Sequence, residues 1–276
     1  MRLPSFAPAT LALAATLLAA TPAGAQSALA GTSYGPLQAS GDQVVPPSGS
    51  SAVAENLNAM RFYPDTNELQ WSIDVEFEPT AAHLHLGAPG ANGPEIAASD
   101  LEFLPWGDWR ISNRVVLQPA EITALFAGDV YLDVHSAAHP SGEIRSQLYL
   151  YYEDLGGNHP VSGPVGLGLT FTGALVPGEN LSIFVGASNV PSGQQGLMAL
   201  SLASTPLPYF SGVLHAFPFT TTVLLTFTGP IAGLGTTWPA GIPPGTTGVV
   251  QTLLVNPEPT VPGDFVLSNA VRFTTY

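Results

Sequence analysis

The chain has 276 residues, 45% of them hydrophobic and only 9% charged, with a formal net charge of -14. Its six basic residues are all arginine, and it contains neither lysine nor cysteine. This balance argues against phosphate-directed nucleic-acid binding and excludes disulfide scaffolds, thiolate metal centres and lysine-dependent nucleotide or Schiff-base chemistry, while the apolar fraction argues against disorder.

The first segment reads as a secretory signal peptide over residues 1–25. Arg2 supplies a thin positive start, Ala9 to Ala20 an apolar run, and Ala23 with Ala25 the small-residue pattern for cleavage near Ala25. That run is shorter than the roughly 20 residues needed to span a bilayer, so no transmembrane segment is expected in the mature chain. Residues 26–50, rich in Gly, Ser, Pro and Ala, read as a lead-in, with strand signals from about Ala54. Asn58–Tyr63, the turn at Pro64–Asn67 and the run Leu69–Phe77 predict a hairpin. In that last run Leu69, Trp71, Ile73, Val75 and Phe77 alternate with polar residues, the pattern of a half-buried antiparallel strand. Ala81–Leu86 is a further strand, followed by a glycine-rich loop from Gly87 to Pro94. Trp106 and Trp109 flank a charged loop and are a candidate partner-binding spot, or indoles pinning that loop to the core. Pro119–Ala127 predicts the one helix, with Pro119 in its first turn, an apolar stripe of Ile122, Leu125 and Phe126, and Gly128 as its cap. Val130–His135 and Glu143–Tyr151 are strands around the turn His139–Gly142.

A boundary is expected near Glu153–Pro164, dividing the mature chain into domains at 26–152 and 165–276. The acids concentrate in the first part. Residues 26–150 hold 15 acids and four arginines, net -11, whereas residues 151–276 hold five acids and one arginine, net -4. Strand-like runs in the second part are Gly166–Ala174, Asn180–Gly186, Leu197–Ser204, Phe210–Phe217, Thr220–Thr228, Thr247–Val255 and Phe265–Phe273, spaced by Gly and Pro as in a sandwich. Leu-Thr-Phe-Thr-Gly occurs at Leu169–Gly173 and again at Leu225–Gly229, which we read as similar strand ends. The fold class expected is all-β, two antiparallel sandwich-like domains with one short helix in the first.

His83 and His85 lie two apart on a strand and so share a face, while His135 and His139 surround a later strand end. Neutral imidazoles in this pattern can ligate Zn or Cu, with Asp133 and His139 as additional candidates beside His83, His85 and His135. The alternative is structural, with the imidazoles hydrogen-bonded to Asp133 or Glu143 in a network that includes Arg145. No Gly-x-Ser-x-Gly elbow supports a hydrolase.

The segments Ala81-Ala82-His83-Leu84-His85-Leu86-Gly87 with Gly93-Pro94, and Leu125 through Leu148, resemble a CHRD (chordin-type) domain of the exported bacterial kind. The stretch Ala39-Ser40-Gly41-Asp42-Gln43-Val44-Val45-Pro46-Pro47 is similar to that family's opening, so the resemblance covers about residues 37–150. His139 stands where the family more often has Asn and Val44 where it often has Glu, which weakens a family role for His139. The resemblance implies a β-sandwich module without established enzymatic activity; in chordin such repeats belong to an extracellular binder of growth factors. The His-x-His strand is also similar to the copper strand of Cu/Zn superoxide dismutase, but over two residues only, and the cysteines of that pattern are missing.

The expected function is an exported, non-enzymatic interaction or ligand-binding module, secreted or periplasmic, with an unknown protein or surface partner. The alternative is a metal-binding protein using the clustered histidines. No organic cofactor is expected.

Overall fold

The computed structural model describes residues 31–157, 166–209, 212–255 and 265–276. The expected signal peptide and its cleavage site lie outside these residues. The fold is all-β and antiparallel, with one short helix among the described residues. No helix among them is long and apolar enough to cross a membrane.

In chain order the first half contains β1 (Ser33–Ser40), β2 (Val53–Tyr63), β3 (Glu68–Val75), β4 (Pro79–Leu86), β5 (Glu95–Ala98), β6 (Asp100–Phe103), β7 (Trp109–Val116), α1 (Pro119–Ala127), β8 (Val130–Ser136) and β9 (Ile144–Gln147). Strand alternation is clearest in β3, where Leu69, Trp71, Ile73 and Val75 are buried and the residues between them are only partly so. The β2–β3 hairpin closes in register from Met60↔Trp71 to Tyr63↔Glu68, and Asn67 takes the left-handed conformation its turn requires. The sheet order β6-β7-β3-β2-β1-β9-β8-β4-β5 curls over a single core. Leu37, Phe62, Trp71 and Ile111 on one arm meet Leu84, Leu132, Val134 and Ile144 on the other.

The helix forms where expected. Pro119 begins it, the Gln118 N–H donates to the Glu121 carboxylate at 2.7 Å, and Gly128 ends it with φ +79°. Its stripe is narrower than read from sequence. Leu125 is buried and Ile122 packs on the core, but Phe126 is 47% exposed and touches Phe62 only edge-on.

Three further readings change. The lead-in contains β1, the strand on which the whole sheet turns, hidden in sequence because Gly35 and Pro36 interrupt it. Gly35 is required there, since a Cβ would lie 2.1 Å from the Tyr149 carbonyl oxygen. Strand β4 begins at Pro79, two residues ahead of the start expected at Ala81. The strand expected over Glu143–Tyr151 stops at Gln147, and the chain resumes strand pairing at β10 (Tyr152–Gly156).

The second half contains β11 (Gly166–Thr172), β12 (Asn180–Ser188), β13 (Gln195–Ser201), β14 (Leu207–Tyr209), β15 (Gly212–Leu214), β16 (Thr221–Thr226), β17 (Ile231–Thr237), β18 (Thr247–Val255) and β19 (Phe265–Thr274). The sheet β11-β12-β17 faces β16-β13-β18-β19-β10 across a second core. The repeated pentapeptide places Phe171 and Phe227 in this same core, each almost fully buried. Strand β17 was not anticipated, because Gly233 and Gly235 break its pattern. The two halves share one continuous sheet: β10 pairs with β1 on one side and with β19 on the other. Tyr34 and Tyr152 pack at 5.3 Å at this junction, and Tyr276 lies 5.0 Å from Tyr149 and 5.6 Å from Tyr151.

Candidate metal centre

Strands β4 and β8 pair so that His83 faces Asp133, Ala81 faces His135 and His85 faces Tyr131. Inward residues Ala82, Leu84, Leu132 and Val134 are buried, which leaves His83, His85, Asp133 and His135 together on the opposite face. Asp133 Oδ1 is the common neighbour. It lies 3.3 Å from His85 Nε2, 3.3 Å from His135 Nε2 and 3.6 Å from His83 Nδ1. One donor atom each from His83, His85 and Asp133 fall within 4.8 Å of one another, and His135 joins the group through Asp133.

The backbone decides which nitrogen carries hydrogen. His85 Nδ1 is 3.0 Å from the Gly93 carbonyl oxygen, and His135 Nδ1 is 3.1 Å from that of Pro140. A carbonyl only accepts, so each Nδ1 donates, and in the neutral ring Nε2 holds a bare lone pair. Both Nε2 atoms then face a carboxylate oxygen. His85 Nε2, His135 Nε2 and Asp133 Oδ1 are all buried, and none of them forms a hydrogen bond among the described residues. Acceptors pointed at one another repel unless a cation lies between them, and burial of unsatisfied polar atoms is costly.

The electrostatics agree. Burial favours the neutral acid at Asp133, but the imidazoles of His135 and His85 hold its carboxyl far below the usual range. At His135 the Asp133 carboxylate outweighs burial and raises the imidazole. At His85 burial pushes down, but Asp133, the Gly93 carbonyl and Glu95 together push up, for a net rise. The cluster therefore attracts positive charge.

The glycine-rich loop after β4 is fastened over this face. A Cβ on Gly93 would lie 1.6 Å from the Leu86 carbonyl oxygen, so only glycine brings the Gly93 carbonyl to His85. Arg145, 2% exposed, donates to the carbonyls of Ala88 at 3.1 Å and Ala91 at 2.9 Å, and to Gln147 Oε1 at 2.9 Å. Its guanidinium sits 3.5 Å from the Tyr131 ring centroid, and Tyr131 stacks on His85 at 5.0 Å. Arg145→Met keeps apolar bulk but strips these carbonyls of their donor. Urea unfolding is expected to show a loss of about 2–4 kcal/mol, and an unchanged midpoint would mean that the loop does not depend on Arg145.

Glu143 and Arg145, read together from sequence, serve separate networks, and neither hydrogen-bonds to the imidazoles. Glu143 accepts from Ser50 and from Ser136 Oγ at 2.5 Å. His139 also turns away from the cluster, with its Nε2 3.7 Å from Glu143 Oε1. Burial opposes ionisation of Glu143, yet the two hydroxyls hold its carboxyl below the ordinary value. Trp106 is 64% exposed in the turn between β6 and β7, whereas Trp109 is half-buried and packs 5.3 Å from Phe103. The loop is thus pinned by Trp109 and not by Trp106. The signal that sequence reading lacked was the pair of backbone carbonyls at Gly93 and Pro140, which no residue type announces.

Residues 36–148 match the CHRD domain. The match covers the whole cluster and strands β2 through β9, with β1 from Pro36 onward. The second half of the chain lies outside it. A comparison with curated proteins gives no match. The CHRD segment therefore identifies the module that carries the centre, while the centre's chemistry rests on the geometry above.

Proposed function

We propose that this protein is an exported, non-enzymatic binding protein whose CHRD segment holds a divalent transition-metal ion, Zn or Cu, through His83, His85 and Asp133, with His135 completing the set. One observation carries the reading: Asp133 Oδ1, buried and without a hydrogen bond among the described residues, lies 3.3 Å from each of two buried imidazole nitrogens, His85 Nε2 and His135 Nε2, that have none either. A proton on Nε2 satisfies only a collinear acceptor, whereas a metal ion at a common point satisfies every donor. The distances from Asp133 Oδ1 to His85 and His135 also fit. Metal–ligand bonds of about 2.0–2.1 Å in a tetrahedron set ligand–ligand edges of about 3.3 Å. The Gly93 and Pro140 carbonyls are the outer partners that such histidines need to fix their tautomer. Net charge of -11 over residues 26–150 favours a cationic ligand. Export is supported by the Arg2, Ala9–Ala20 and Ala23/Ala25 pattern. The exposed Trp106 is the side chain we assign to a surface partner.

Calorimetric titration of the purified chain with Zn and with Cu tests the metal reading. Saturable binding with a Kd of about 1 μM or below is expected, and His83→Ala/His85→Ala abolishes it. Absence of saturable binding, or binding unchanged in the double variant, overturns it.

A further inference from the structure

We infer a second binding site, for a sugar acid, on the outer face of β2, β3 and β7, independent of the histidine cluster. Because Leu69, Trp71, Ile73 and Val75 point into the core, Gln70, Ser72 and Asp74 point outward, and register extends each into a row across the sheet. The first row is Arg61–Gln70–Arg114, the second Ser72–Ser112–Asp100, and the third Asp74–Arg110–Glu102. The middle row is short side chains between longer ones, and a groove of about 460 Å³ runs along it.

The two outer rows differ, and only the first lines the groove. In the third row Arg110 is neutralised by Asp74 through two bonds of 2.9 and 3.0 Å. In the first row the guanidinium groups of Arg61 and Arg114 have no hydrogen bond or ion pair among the described residues, although this half carries 15 acids to four arginines. Two unpaired guanidiniums therefore flank Gln70, one strand away on each side. Neighbouring strands lie about 4.8 Å apart, so the two arginine backbones stand about 10 Å apart across Gln70, a gap that two long side chains can close on one carboxylate. Guanidinium is the group best matched to a carboxylate's paired oxygens.

The rest of the groove narrows the ligand. Ser72 and Ser112 offer hydroxyls, and Asp100 is an acceptor with no hydrogen that would repel a second anion. A polyphosphate or acidic peptide places negative charge along its length and meets Asp100. A ring with one carboxylate and several hydroxyls places its charge between Arg61 and Arg114 and its hydroxyls on Asp100 and the serines. That is the chemistry of a uronate.

Calorimetry of the full chain with monomeric galacturonate tests this, with EDTA present so that metal at the histidine cluster plays no part. Saturable binding is expected, with no binding of neutral galactose. Arg61→Ala/Arg114→Ala weakens it by about tenfold or more at an unchanged thermal midpoint, since neither side chain supports the fold, and Arg114→Glu does the same by repulsion. No saturable binding, equal binding by the double variant, or displacement by inorganic sulfate at the same concentration as the uronate would overturn the assignment.

Discussion

Asp133→Asn is expected to lower zinc affinity by about a hundredfold or more while the protein remains folded. The substitution keeps the size of the side chain but replaces the anionic oxygen common to His83, His85 and His135 with a neutral amide. A divalent ion then loses its charge-compensating ligand, and the remaining imidazoles hold it by lone pairs alone. The same change removes the cause of the raised imidazoles, so His85 and His135 should titrate at lower pH in the variant than in the parent. Calorimetry reads the first effect and proton NMR of the imidazoles the second. Unchanged zinc affinity in Asp133→Asn would mean that the carboxylate is a structural partner and not a ligand.

Stability should depend on pH in opposite senses with and without metal. His85 and His135 have folded-state values raised above the ordinary imidazole value of about 6.5. Their contribution is therefore fully present below that value and is lost as pH rises through the raised folded values. Asp133 is depressed, so its contribution is present above the ordinary carboxylate range and is lost only in strong acid. In EDTA, then, the thermal midpoint should fall as pH rises from weakly acidic into the alkaline range. Zinc needs the same nitrogens deprotonated, so its stabilising effect should grow over that interval. At a hundredfold excess over Kd it contributes about 2.7 kcal/mol, or about 5–10 °C in Tm for a chain of this size. Thermal unfolding at several pH values with EDTA and with zinc gives both curves, and parallel slopes would contradict the metal reading.

Local pattern made some of this architecture readable. The alternation of Leu69, Trp71, Ile73 and Val75 marks β3 because one of its faces is buried and the other is not. The helix announces itself through Pro119 and Gly128, whose backbone constraints act within a few residues. Strands β1 and β17 were hidden for a common reason: Gly35 and Pro36, and Gly233 and Gly235, read as turns, while sheet pairing on both sides of β1 and on one side of β17 overrides that local preference. In the centre, the period of a strand puts His83 and His85 on one face. The register of β4 against β8 then sets Asp133 beside both, and register is a long-range property. The carbonyls of Gly93 and Pro140, which orient the imidazoles, belong to loops whose side chains carry no such information. Glu143 and Arg145 share a face by spacing, yet each follows its nearest partners, serine hydroxyls in one case and loop carbonyls in the other.

A single zinc ion is expected between His83, His85 and Asp133. Crystals soaked in zinc and measured at the zinc absorption edge locate it. An anomalous peak is expected about 2.0–2.2 Å from donor atoms of His83, His85 and Asp133. A peak elsewhere on the molecule, or none, would contradict it.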